Sequence, residues 1–259
     1  MSNPTSSRDI IVSKIMAEMD SAGLPQYKDS AEKMADFFLL LKEGSEKTNL
    51  IGKLDEDKII KYLFADSLLF LKYFDPREGA CIADIGCGAG FPGIVVKLAR
   101  PDLSIVFLDA DGKKAAFLRE SCLALGVEGI EVIHGRAEEF GKNPEYREKS
   151  DYVFSKAVGS LIMLVELCSP LLRQGGTMTA WKGSKWKEEL EKLGSDYRML
   201  GLMEPQVINT GSESETTFVC FKKASTCPQR FPRSYQVIKK ENLSDAKNKK
   251  NGRKPKGRD

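Results

Sequence analysis

Between Ile82 and Gly93 the chain reads I-A-D-I-G-C-G-A-G-F-P-G: an acid, three glycines at alternate positions and a proline ahead of a new apolar run. Gly86, Gly88 and Gly90 permit positive φ and close approach of a ligand to the backbone. Pro92 suits the first helical turn, where its missing N–H matters little. The stretch reads as a strand, Cys81–Ile85, that turns sharply into a helix and leaves backbone N–H groups facing a nucleoside. Two chemistries use such a turn. Gly88-Ala-Gly90-Phe-Pro-Gly93 satisfies G-x-G-x-x-G, the pattern of a dinucleotide loop. Asp109 suits either chemistry, because an acid about twenty residues on, at the end of the second strand, accepts hydrogen bonds from ribose hydroxyls. Asp84 separates the two. An anion just ahead of the glycines repels a pyrophosphate, whereas S-adenosylmethionine has no phosphate and presents a sulfonium and an ammonium. D-x-G-x-G-x-G therefore favours S-adenosylmethionine, with Asp84 either ordering the loop or balancing the cationic methionine end.

Other reactive side chains narrow the chemistry. Arg136-Ala137-Glu138-Glu139-Phe140 follows the third expected strand, where backbone groups can read an adenine edge; acids at a helix start are equally explained by the helix dipole. His134 is the only histidine, and it is given no role. The six cysteines, Cys87 in the glycine loop among them, form no CxxC pair, which suits reduced thiols in a cytoplasmic protein and argues against a zinc site; no metal is expected. Methyl transfer to a pyrimidine carbon usually needs a nucleophilic cysteine, and transfer to a catechol oxygen often uses a metal; neither pattern stands out. Transfer to guanine N7 needs only alignment of acceptor and donor, because N7 has a free in-plane lone pair and loses no proton.

These residues must be carried by strand ends. From Ala80 onward, apolar runs at Cys81–Ile85, Ser104–Asp109, Ile130–His134, Tyr152–Lys156 and Thr177–Trp181 alternate with helical patterns at Pro92–Arg100, Lys113–Leu125, Ala137–Phe140 and Leu161–Leu172. Gly126 and the Gly175-Gly176 pair read as helix stops. Gln206–Ile208 and Thr216–Phe221 read as an antiparallel hairpin at the sheet edge. The alternation predicts an α/β doubly wound, mostly parallel sheet with helices on both faces, with ligands outside the carboxyl ends of the strands. Three helical patterns precede it: Ser7–Met19, Asp29–Lys42 and Glu56–Phe74, the last with a clear apolar stripe; Gly44–Gly52 reads as a loop. Three units are expected: an N-terminal helical extension (1–78), a Rossmann-like domain (79–224) and a basic, flexible tail (225–259).

The 259 residues are 30% charged and 41% hydrophobic, ordinary for a globular chain. No apolar run has the length of a membrane span, and no partnership with a membrane is expected. The net charge of +3 is uneven: Lys239–Asp259 holds nine Lys and Arg against three Asp and Glu, a net +6, and residues 1–238 stand at −3. A terminal basic block reads as an arm for nucleic-acid phosphates, or else as a solubilising tail.

With these motifs the chain resembles the RsmG (GidB) family of 16S rRNA guanine-N7 methyltransferases. The resemblance runs from about Lys47 to Pro232. It is carried by Asn49-Leu50, Ala65-Asp66-Ser67, the glycine loop with Phe91-Pro92-Gly93, Leu108-Asp109, Gly112-Lys113-Lys114, Phe117-Leu118-Arg119, Arg136 to Phe140, Ser155-Lys156-Ala157, Trp181-Lys182-Gly183 and Phe231-Pro232-Arg233. The family implies a class I methyltransferase fold, S-adenosyl-L-methionine as cofactor, and a guanosine of 16S rRNA, naked or in the small ribosomal subunit, as substrate. The cofactor set it implies is Gly86, Phe91, Ala137, Glu138 and Lys156, to which the loop and strand-end readings add Gly88 and Asp109. Lys156 stands where the family usually has Arg, losing a planar two-pronged donor; Leu63 stands where it commonly has His. Lys113, Lys114, Arg119, Lys182 and Lys185 are candidates for the RNA approach, with Phe91 or Trp181 near the methyl group. A monomer is expected. The rivals are the same fold acting on another RNA, a protein or a small molecule; a nicotinamide oxidoreductase; and an rRNA-binding assembly factor without turnover.

Overall fold

The computed structural model describes residues 6–240. Seven strands form one sheet in the order β3-β2-β1-β4-β5-β7-β6. They are β1 (Cys81–Ile85), β2 (Ser104–Asp109), β3 (Ile130–His134), β4 (Ser150–Lys156), β5 (Leu172–Lys182), β6 (Gln206–Asn209) and β7 (Thr217–Lys222). β7 runs antiparallel to both β5 and β6, and the rest pair parallel. This is the doubly wound sheet read from the strand–helix alternation, in the arrangement that the family resemblance implies. Strand order reverses between β1 and β4, which opens a crevice at their carboxyl ends.

The period-two alternation of each strand separates two cores. Ile82, Phe107, Phe154 and Phe218 face a layer built from α5 (Gly93–Ala99), α6 (Gly112–Ala124) and the N-terminal helices. Ala83, Ile85, Val153, Met178 and Phe221 face α8 (Leu161–Cys168) and α9 (Trp186–Leu193). In the first layer, α1 (Ser7–Ala22) buries Ile11, Ile15 and Met19, the spacing-four stripe of the sequence, and α2 (Ala31–Lys47) buries Met34, Phe37, Phe38 and Leu41. α2 continues through Gly44, where a loop was expected. A Cβ at Gly44 would lie 2.6 Å from the Phe117 ring, so glycine serves there to let α2 and α6 meet.

The third N-terminal helix is interrupted. α3 (Glu56–Ile59) passes into a π-helical turn at Ile60–Ala65 before α4 (Asp66–Tyr73). Gly175 and Gly176 also depart from the expectation of a helix stop. They lie inside β5, where a Cβ on Gly176 would sit 2.7 Å from the Asp151 carbonyl oxygen. The preceding helix ends at Cys168, and Pro170 stands in the short 3₁₀ turn that follows, as its missing N–H dictates.

The basic C-terminal segment is packed down as far as Lys240. Phe231 is fully buried. The Arg147 guanidinium donates to the carbonyls of Phe231 (2.9 Å), Cys227 (2.6 Å) and Gly141. Arg233 forms a two-pronged pair with the fully buried Glu166 at 2.8 and 2.7 Å. α10 (Tyr235–Lys240) follows. The assignment of residues from 225 to a flexible tail is therefore corrected for 225–240, because composition alone hides these buried partners. The remainder of the basic run, 241–259, lies outside the described residues.

Candidate active site

A cavity of about 650 Å³ opens at the carboxyl ends of β1, β2, β3 and β4. Gly86, Gly88 and Phe91 reach it from the loop after β1, Asp109 from the end of β2, Ala137 and Glu138 from the start of α7 (Ala137–Phe140), and Lys156 from the end of β4. All seven residues singled out in the sequence thus line one space. Leu50, Ile51 and Leu63 add an apolar rim from the N-terminal layer, and Tyr235 closes the side beneath Arg136. Tyr235 was not foreseen. It lies in a basic stretch, and only the anchoring of Arg147 and Arg233 brings it here; the Arg136 guanidinium sits 5.8 Å from its ring centre.

The glycine loop is closed on itself. The N–H groups of Gly86 and Cys87 donate to the Leu108 carbonyl at 2.8 and 3.2 Å, and those of Gly90 and Phe91 to the Cys87 carbonyl at 2.8 and 3.0 Å. The Gly88 N–H donates to Asp109 Oδ2 at 2.7 Å, and Asp109 Oδ1 accepts from the Asp111 N–H at 2.8 Å. Gly86 has a φ of 68°, and a Cβ there would strike Val158 Cγ2 at 2.3 Å. Glycine at this position answers both backbone conformation and space. A phosphate would therefore meet engaged N–H groups and, at Gly88, a carboxylate.

Asp84 does not line the cavity. It is fully buried beneath the loop, where Oδ2 accepts the Gly93 N–H at 2.8 Å and Oδ1 has no partner. Of the two roles offered for it, ordering the loop is the one the geometry shows. Burial pushes its pKa up to about 8, with the Gly93 N–H pulling the other way and Asp109 adding to the rise. Burial likewise holds the Cys87 thiol well above its ordinary value; it is a small, inert wall residue.

Lys156 is half-buried, and its Nζ donates to the Tyr62 carbonyl in the π-helical turn at 2.6 Å. Desolvation draws its pKa down to about 8 against the pull of Asp66 and Asp84. The Leu63 carbonyl of the same turn accepts from Ser67 Oγ. These bonds seat the turn, and Leu63 with it, on the cavity rim. Ala157, next along, has a φ of 60°, which costs an L-residue about 1–2 kcal/mol. Phe91 is fixed by Phe64, edge-on with ring centres 5.3 Å apart, and by Phe37 at 5.8 Å.

The basic residues scatter. Lys114 lines the cavity, whereas Lys113 lines a groove between α2 and α6. Arg119 is turned to the Val132 carbonyl at 2.9 Å. Trp181, Lys182 and Lys185 line a neighbouring hollow, and the Trp181 indole N–H is held by the Asp66 carbonyl at 3.2 Å. Of the two aromatics considered for the cavity, Phe91 is therefore the one present. His134 bonds the Ala110 carbonyl at 3.2 Å, a packing role. Among the described residues no group of three or more His, Cys, Asp or Glu is placed to hold a metal, and no helix is long and apolar enough to cross a membrane.

Comparison with known proteins agrees with this layout. The model of the family described as GidB, rRNA small subunit methyltransferase G, matches residues 30–218. A protein of Lactobacillus delbrueckii subsp. bulgaricus named ribosomal RNA small subunit methyltransferase G is 40% identical over 204 residues, covering 76% of this chain and 84% of that protein. One of the same name from Exiguobacterium sibiricum is 37% identical, covering 82% and 90%. A crystal structure described as a SAM-dependent methyltransferase from Aquifex aeolicus superposes with a TM-score of 0.50 at 20% identity, covering 69% of this chain and 97% of that one, a likeness of fold. The chain belongs to the GidB, rRNA small subunit methyltransferase G, family.

Proposed function

We propose that this protein transfers the methyl group of S-adenosyl-L-methionine to N7 of a guanosine in 16S rRNA. Family membership over residues 30–218 supports the reaction, and the closure of the glycine loop supports the cofactor. With the N–H groups of Gly86, Cys87, Gly88, Gly90 and Phe91 engaged internally, the loop offers a pyrophosphate little. The cavity does fit a nucleoside bearing a sulfonium. Asp109 uses one bond on each oxygen, so its remaining lone pairs are available to ribose hydroxyls. Ala137 and Glu138 supply the adenine side, Gly86 and Gly88 the close backbone floor, Phe91 an apolar wall and Lys156 the edge toward β4. When bound, the cofactor supplies an electrophilic methyl group. The chain's own part is to exclude water with Leu50, Ile51 and Leu63 and to hold the acceptor in line. It needs no general base, because N7 loses no proton.

One chain completes the cavity from Leu50 to Tyr235, which supports action as a monomer. The six free cysteines support a reducing, cytoplasmic setting. The division of labour we infer gives 79–224 the cofactor, 1–78 the rim, and the basic C-terminal run the RNA. The decisive experiment uses the lability of an N7-methylated guanosine. Unmethylated small subunits or 16S rRNA are incubated with protein and cofactor, then reduced and treated with aniline. An enzyme-dependent strand break is expected at one guanosine, and none would refute the reaction.

A further inference from the structure

One end of the cavity lacks cover from the sheet. β3 is an edge strand, and α7, which follows it, has only four residues. The adenine side assigned to Ala137 and Glu138 therefore lies where, among the described residues, no further strand or long helix follows. Tyr235 lines the cavity there, beside Arg136. We propose that Tyr235 binds the cofactor: its ring covers the purine of S-adenosylmethionine, so that a segment beyond the matched stretch 30–218 completes the adenine end. The inference rests on the methyl-transfer reading above.

Contacts on both sides of Pro232 route the chain to this place. A Cβ on Gly141, at the end of α7, would meet Pro232 Cδ at 2.8 Å, so the segment crosses directly over that helix end. Arg147 holds the Phe231 carbonyl at 2.9 Å, and the Arg233 N–H donates to Glu166 Oε1 at 2.8 Å. Two residues later α10 begins. Ile238 is buried, and residues three apart share a helix face. The face that anchors α10 therefore also carries Tyr235 to the cavity.

What Tyr235 offers a ligand is its ring. It is half-buried, and among the described residues its hydroxyl makes no hydrogen bond. The Arg136 guanidinium lies 5.8 Å from the ring centre, and Arg136 directly precedes Ala137. A guanidinium and an aromatic ring are both planar, and bases stack on either. Stacking gives affinity without choosing the base, because every base has a π face. The choice of adenine stays with the backbone groups of Ala137 and Glu138, and Tyr235 supplies the hold.

The test separates the ring from its hydroxyl. Wild type, Tyr235→Phe and Tyr235→Ala are first melted without cofactor to establish that each folds, then titrated with S-adenosylmethionine by calorimetry. Tyr235→Phe keeps the ring and should bind within about threefold of the wild type, whereas Tyr235→Ala should bind about tenfold to a hundredfold more weakly. In the wild type, saturating S-adenosylmethionine should also slow amide hydrogen exchange at 235–240, a measurement that stands even if Tyr235→Ala does not fold. A folded alanine variant that binds like the wild type, a phenylalanine variant as weak as the alanine one, or exchange at 235–240 that the cofactor leaves unchanged would overturn the proposal. A wild type that binds no S-adenosylmethionine overturns instead the reaction on which it rests.

Discussion

Asp84, with no exposed surface and only the Gly93 N–H for a partner, is held near pKa 8 by burial. In the unfolded chain it titrates near 3.9. Between those values the folded protein holds a proton that the unfolded chain has released, so this residue makes stability fall as pH rises from about 4 to about 8. Asp84→Asn keeps an acceptor for Gly93 and removes the titration. Melted without cofactor, the variant should exceed the wild type in thermal midpoint at pH 8, with the gap closing toward pH 4–5; parallel profiles would refute the assignment. Gly86 makes a second residue-scale case. Gly86→Ala meets both Val158 and a positive φ, and S-adenosylmethionine affinity should fall more than a hundredfold. Adding Val158→Ala removes the collision and leaves only the backbone strain of about 1–2 kcal/mol, so calorimetry should show most of the affinity restored. A double variant as weak as the single one would mean that the collision is not the cause.

At the scale of elements, the site depends on how the π-helical turn and the β6–β7 connection are seated. Asp66, buried at the start of α4, accepts from Ser214 Oγ at 2.7 and 2.6 Å and from Thr216 Oγ1 at 2.8 Å. One carboxylate thus fastens the hairpin loop to the helix that also presents Leu63 to the cavity. Hydrogen bonds to a buried charge are worth about 1.5–3 kcal/mol each, and here two hydroxyl donors, Ser214 and Thr216, share one carboxylate. Asp66→Ala is expected to cost about 2–4 kcal/mol in denaturant unfolding. It should also speed amide hydrogen exchange at 211–216. Unchanged exchange there would show that the loop holds itself. None of this was visible in the periodicity of Glu56–Phe74. The apolar stripe gives the helix and its buried face correctly. The π turn instead follows from carbonyls taken by Lys156, 94 residues away, and by Ser67.

For the whole molecule, the C-terminal stretch divides into a packed part and a charged remainder. Removing 241–259 takes away seven Lys and Arg and three Asp and Glu. The thermal midpoint should hold, while RNA binding weakens and its salt dependence becomes shallower; a slope identical to the full chain would make the arm passive. Removing 225–259 should instead destabilise the fold. It exposes the core around Phe231 and leaves the fully buried Glu166 without Arg233, a loss of about 3–5 kcal/mol for the pair alone. Circular dichroism melting of both truncations separates the two regions. The sequence by itself determined the strands and their order of appearance, the doubly wound sheet, and the seven residues at its carboxyl edge. The sheet, Gly86, Gly88 and Asp109 rest on short-range rules, namely period-two alternation, glycine's freedom at a turn and an acid closing the second strand; Phe91, Ala137, Glu138 and Lys156 rest on the family resemblance. Only the tertiary structure decided that Asp84 sits under the loop instead of facing the ligand. It alone decided that Tyr235 reaches the cavity, that a π turn forms its rim, and that a second hollow adjoins it. Each of these depends on which distant group comes within hydrogen-bonding or packing distance, and the spacing of residues along a chain carries no record of that.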